Sequence, residues 1–192
     1  MTRTAVSVLI AALLPLPILA AQAPPLEAHR PWIELGLGAS REAANCGSCY
    51  QKKMGGPAAS LSFGATITPR FGFAVLLRKF AEFSFEDSHE ANYAIALAQY
   101  SPAPGLTLNG GLGYGSQFGD DPPYSDSGSG AVLGGGIALR LPPTSTFGLT
   151  LHVDWLKTVS GKARMRSDQP GTSYRPLLFT IGLGLNLAGD AS

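Results

Sequence analysis

The stretch Leu177-Leu178-Phe179-Thr180-Ile181-Gly182-Leu183-Gly184-Leu185-Asn186-Leu187 decides the fold. Every second residue, Leu177, Phe179, Ile181, Leu183, Leu185 and Leu187, is large and apolar. Those between them, apart from Leu178, are small or polar: Thr180, Gly182, Gly184 and Asn186. A period of two puts these sets on opposite faces of a β-strand, because successive side chains point to opposite sides of the pleat. A helix would scatter both sets around its circumference.

The same alternation recurs upstream. It predicts strands over Trp32 to Ser40, Ala59 to Ile67, Phe71 to Phe80, Asn92 to Tyr100, Leu106 to Gly115, Ala131 to Leu141 and Phe147 to Leu156, and so eight strands with the last. In each, an apolar series faces a small or polar one: Ile33, Leu35 and Leu37 oppose Glu34, Gly36 and Gly38. By the same rule, Tyr93, Ile95 and Leu97 are expected on the apolar face and Ala94, Ala96 and Ala98 on the small one.

The connections alternate in length. Thr68 to Arg70, Ser101 to Gly105 and Pro142 to Ser145 are short and Pro-containing. Arg41 to Ala58, Gln117 to Gly130 and Thr158 to Ser173 are long and polar, and Phe83 to Glu90 is intermediate. That rhythm describes an up-and-down meander with one plain and one elaborate rim, and an even strand number returns both ends to the plain rim.

Composition limits what such a meander can be. The chain is 45% hydrophobic and 14% charged, against roughly 25% charged in an average soluble domain. A soluble barrel of the lipocalin kind would need a water-facing wall rich in Lys and Glu. Here the non-apolar face is mostly Gly, Ala, Ser, Thr and Asn, which suits the cramped lumen of an eight-stranded barrel, with the large apolar face turned to lipid. The expected fold is therefore all-β: a closed antiparallel up-and-down transmembrane β-barrel. Closure leaves no backbone edge unpaired in hydrocarbon. A net charge of +1 gives no electrostatic case for nucleic acid.

The N-terminal residues read as an export signal. Arg3 is followed by an uncharged apolar run from Val6 to Leu19 and by small residues around Ala21-Gln22-Ala23. The run is shorter than the roughly 20 residues of a membrane span and contains Pro15 and Pro17. The expected organisation is a signal peptide over 1–23, an N-terminal segment over 24–30, the barrel over 31–188 and a tail over 189–192. Neither cysteine lies near the cleavage region, so no lipoprotein anchor is expected.

Thr180 to Leu187 looks like the C-terminal insertion signal of the small outer-membrane barrels of the OmpA/OmpX type: a polar residue, a Gly, then spaced apolar residues. The chain resembles that family over about Pro31 to Leu187, with Leu187 where the family commonly has an aromatic. The resemblance implies location in the outer membrane. The implied partners are outer-membrane lipid, lipopolysaccharide and, through the last strand, the barrel assembly machinery.

Few residues could carry chemistry. Glu34, Arg78, Arg140, His152 and Asp154 fall on the small-residue face, where an unpaired charge is costly to bury. Arg78 and Asp154 each lie seven residues beyond the first apolar residue of their strand, Phe71 and Phe147, and so fall at similar heights. Glu34 and Arg140 lie toward the plain rim. These five are read as a lumenal polar network, either an ion-pair plug or a gated path for ions or protons. His152 and Asp154 share a face as a base and its orienter would, and outer-membrane lipid hydrolases and acyltransferases use this fold. No motif marks a nucleophilic serine, so no enzyme and no cofactor are expected.

Cys46-Gly47-Ser48-Cys49 lies in the first long connection. It lacks the βαβ context of a redox motif and the further ligands of a zinc site, so a local Cys46–Cys49 disulfide is expected after export. His89 is expected in a loop, and Asp120, Asp121 and Asp126 lack EF-hand spacing. Lys162, Arg164, Arg166 and Arg175 make the last connection basic, either a solvated loop or a contact for lipopolysaccharide phosphate.

Overall fold

The computed structural model describes residues 30–43, 53–83, 88–121, 124–141, 147–165, 172–173 and 176–188. Its strands are β1 (Pro31–Ala43), β2 (Lys53–Thr68), β3 (Phe71–Phe83), β4 (Ser88–Ala103), β5 (Leu106–Asp121), β6 (Tyr124–Arg140), β7 (Phe147–Met165), the two-residue β8 (Thr172–Ser173) and β9 (Leu177–Ala188). All neighbours are antiparallel. Each long strand pairs with the next, β7 pairs with β9, and β9 pairs with β1 to close the ring. β8 only extends the upper end of β7. The barrel therefore has eight walls, and Trp32 opposite Ala188 returns both ends to the plain rim.

The rungs of this ladder spiral. From Leu151, register partners run through Leu183, Leu37, Ala59, Lys79, Asn92, Ser116 and Ser129, and come back to β7 at Lys162. The return point lies farther toward the elaborate rim than the start. Such a stagger tilts the strands by about 40° to the barrel axis.

The short connections follow local chemistry. Ala103 pairs with Leu106 across Pro104-Gly105, and Gly105 has φ of 78°. Pro fixes the first central position of this turn, and Gly accepts the positive φ of the second. At the β2–β3 turn, Thr68 Oγ1 accepts hydrogen bonds from the Arg70 and Phe71 amides, 3.3 and 3.0 Å.

Outward residues include Leu35, Leu37, Phe73, Leu112, Ile181 and Leu183, the last 51% exposed. A continuous apolar wall of this kind exceeds what a soluble monomer shows water and matches a hydrocarbon environment. At the upper edge of the wall Arg41, Lys79 and Lys157 point outward on β1, β3 and β7.

Two expectations need correction. Strand β4 is turned inside out: Tyr93, Ile95 and Leu97 are buried in the lumen, and Ala94, Ala96 and Ala98 face outward. The cause is register, since Tyr93 pairs with inward-facing Arg78, and cross-strand partners share a face. The second concerns the elaborate rim. Most of the expected loop 117–130 is a hairpin, with β5 paired to β6 as far as Asp121 opposite Tyr124. β7 likewise runs to Met165, so Lys162 and Arg164 lie in a strand. His89 lies in β4 rather than in a loop. Gly, Ser and Asp hide these extensions from a hydrophobic pattern, while their backbones still complete the ladder. The expected signal segment, the C-terminal tail, Cys46, Cys49, Arg166 and Arg175 lie outside the described residues.

Candidate functional site

The lumen is the only place where charged side chains gather in the barrel interior, among the described residues. Nearest the plain rim, Arg140 Nη2 donates to Asn186 Oδ1 at 2.9 Å, and Asn186 Nδ2 donates to Glu34 Oε2 at 3.5 Å. Glu34 and Arg140 are thus linked through Asn186. Gln99 donates to Asn109 at 3.1 Å at the same end.

The middle layer joins β3 to β7. Arg78 Nη2 donates to Asp154 Oδ2 at 2.5 Å, and His152 Nδ1 lies 2.8 Å from the same oxygen. All three residues are buried, Arg78 to 3% exposure. One carboxylate oxygen receives both neighbours, so the guanidinium and imidazole are fixed relative to one another. The layer has room because the strands on either side of β7 are bare at this height. A Cβ on Gly136 would strike Asp154 Oδ1, and one on Gly182 would lie 2.6 Å from His152 Nε2. Beside it, Ser40 and Thr180 share a hydroxyl hydrogen bond of 2.6 Å.

Beside and above this layer lies an apolar cluster. Phe80, Ile95, Leu156, Leu178 and Val132 are almost fully buried and pack in one cluster with Leu76 and Tyr93. Gln117 Nε2 donates to the Tyr93 hydroxyl at 2.9 Å. Toward the elaborate rim His89 Nε2 lies 3.5 Å from Glu42 Oε2, and its ring packs against Phe80 with centroids 6.2 Å apart.

Arg78, His152 and Asp154 are therefore one group, and Glu34 and Arg140 another. Sequence reasoning did not include Asn186, Tyr93, Gln117, Glu42 or His89. Glu42 was within reach, since it continues the inward series Gly38, Ser40 by one more step. Tyr93 and His89 required the phase of β4.

As chemistry, the middle layer resembles a base and its orienter. His152 Nε2, the edge that would serve a nucleophile, is buried without a hydrogen-bond partner. Ser60 faces the lumen beside it: a Cβ on Gly36, the register partner of Ser60, would strike Ser60 Oγ and lie 3.4 Å from His152 Nε2, and no hydrogen bond joins Ser60 to His152 Nε2. No group of three or more His, Cys, Asp or Glu among the described residues could hold a metal ion.

Solved structures share this architecture. Ail, the attachment invasion locus protein of Yersinia pestis, superposes with a TM-score of 0.55 at 12% identity, covering 84% of this chain and 100% of Ail. The fold is that of a small outer-membrane β-barrel. Neisserial surface protein A matches the barrel with TM-score 0.55 at 12% identity, over 81% of this chain and 96% of its own. The outer membrane protein OprG of Pseudomonas aeruginosa matches with 0.54 at 13%, over 86% and 99%. No family model matches the sequence, and no curated protein does.

Proposed function

We propose that the protein is a non-enzymatic barrel of the outer membrane that acts as a structural and surface-contact element rather than as an open pore. The observation that carries this reading is the filled lumen. The Arg78–Asp154–His152 layer crosses it, and the Phe80, Ile95, Leu156 and Leu178 cluster occupies the space beside and above. A conducting barrel needs a continuous polar path, and buried apolar side chains interrupt one here.

The strand lengths support surface contact. β7 has 19 residues and β6 has 17, whereas a tilted membrane strand needs about 9–11. The excess projects at the elaborate rim as paired β-structure, a stiff platform for a surface partner. In this reading the apolar wall meets outer-membrane lipid and lipopolysaccharide, and β9 engages the assembly machinery after export through a cleaved signal peptide.

The test combines fractionation and conductance. The protein is expected in the outer-membrane fraction, migrating faster on gels unheated than boiled, and giving no conductance steps in planar bilayers. Recovery as a soluble periplasmic protein would sink the membrane placement, and stable open steps would sink the filled-lumen reading. Labelling of Ser60 by a serine-directed fluorophosphonate would instead favour a lipid-modifying enzyme.

A further inference from the structure

The outer wall is not uniformly convex. Across β1 to β5 it carries a depression of about 580 Å³. Ala59 and Ala94 form its floor, where neighbouring strands carry larger groups. Leu61, Leu77 and Tyr114 flank it. Its end toward the elaborate rim is polar: Lys79, Asn92 and Ser116 are consecutive register partners on one rung, and all three are exposed. The next rung toward the plain rim holds Leu61, Leu77, Ala94 and Tyr114. Polarity therefore switches within one rung, at the upper edge of the apolar wall.

We propose that this groove seats one phosphate-bearing lipid of the surrounding bilayer, with an acyl chain over Ala59 and Ala94 and the phosphate held by Lys79, Asn92 and Ser116. The proposal rests on the membrane placement given above. Shape and charge run in the order of such a lipid: an apolar trough closed at its upper end by an ammonium and two neutral polar side chains. Lys79 also meets Glu90 at 2.8 Å, but both side chains stay partly exposed, and an ammonium has further donors to give. A second copy of the chain fits less well. In one membrane orientation it would bring its own Lys79 to the same height, placing like charges together.

The test is titration of phosphatidic acid into the full chain in zwitterionic phosphocholine micelles, followed by backbone amide NMR. Saturable one-site shifts are expected at Ala59, Lys79, Asn92, Ala94 and Ser116, and phosphatidylcholine should give no saturation. Lys79→Gln should weaken binding at least about tenfold, the equivalent of one lost charge-assisted contact. Ala94→Trp fills the floor and should abolish binding. Ala96→Trp, outward on the same strand but outside the groove, is the control and should bind as wild type. Shifts spread evenly around the wall, unchanged binding by Ala94→Trp, or a concentration-dependent dimer burying these residues would each overturn the site. A protein that folds and stays heat-modifiable while showing such a result refutes the seat alone. One that never folds in micelles refutes the membrane placement with it.

Discussion

Asp154→Asn is the most informative single change in the lumen. Asp154 Oδ2 accepts from Arg78 Nη2 at 2.5 Å and lies 2.8 Å from His152 Nδ1. Asn preserves the shape and removes the charge, leaving a guanidinium at 3% exposure without its carboxylate. Removing one partner of a buried pair typically costs about 3–5 kcal/mol, because the other charge stays desolvated. The measurement is reversible urea unfolding in phosphatidylcholine vesicles, followed by the emission of Trp32 and Trp155. The expected loss is about 3 kcal/mol or more. Replacing both partners, Arg78→Met with Asp154→Leu, should recover most of it, since apolar residues of similar volume remove the desolvation cost with the attraction. A single-variant cost under about 1 kcal/mol would refute the argument. So would a double variant that loses as much as the two singles added together.

Leu183→Arg should cut folded yield in vesicles far more than Gly184→Ser. Leu183 faces lipid at 51% exposure, where Arg costs about 2–4 kcal/mol near the midplane, while a Cβ on Gly184 meets only the movable Glu34 carboxylate at 2.6 Å. Equal yields would mean the faces are assigned wrongly. Ile95→Ala should destabilise the barrel by about 2–5 kcal/mol by opening a cavity beside Leu156 and Gly134, whereas Ala96→Leu should be close to neutral; the reverse order in urea unfolding would restore the outward reading of Ile95. Cys46 and Cys49 are expected to be disulfide-bonded in the exported protein, with Cys46→Ser plus Cys49→Ser leaving heat resistance almost unchanged. Free thiols in freshly isolated membranes would dispose of the bond, and collapse of the double variant would dispose of its local role.

Most of the wall was legible because alternation is a strong signal wherever one face meets lipid. β9 follows the pattern without exception apart from inward Leu178, and β1, β2, β3 and β7 keep the expected faces. β4 was illegible for a physical reason. Tyr93, Ile95 and Leu97 against Ala94, Ala96 and Ala98 is an alternation of large apolar with small apolar, and either set can meet lipid. Hydrophobicity cannot orient such a strand. Its phase is fixed by its register with β3, where Tyr93 pairs with Arg78, and a slip of one residue would turn every β4 side chain over. The lumenal contacts of Arg78 with Asp154 and of Arg140 with Asn186 cross strands that are far apart in sequence. Equal spacing from the strand starts placed Arg78 and Asp154 at similar heights, but the link of Arg140 to Glu34 through Asn186 depends on how the rungs stagger around the ring.

The inversion of β4 also explains how so narrow a barrel is filled. Inward positions of β1, β5, β6 and β9 include Gly36, Gly38, Gly111, Gly113, Gly134, Gly136, Gly182 and Gly184, which contribute no side-chain volume. Had β4 turned its alanines inward too, small residues would have lined most of the circumference, and water would have filled the space. Instead β4 sends in Tyr93, Ile95 and Leu97, β3 sends in Leu76, Arg78 and Phe80, and β7 sends in His152, Asp154 and Leu156. Bulk from β3 and β4 therefore meets bulk from β7 across the lumen, and the glycines of the strands beside them leave room for it. A Cβ on Gly134 would lie 2.9 Å from Leu156 Cδ2, and one on Gly113 would collide with backbone of β4. Glycine beside bulk is one design: the large side chains fill the lumen only because the neighbouring strands leave them space. A pore would need side chains that line the wall and leave the axis free. These side chains reach across the axis, and that is the physical ground for placing contact at the rim rather than passage through the centre.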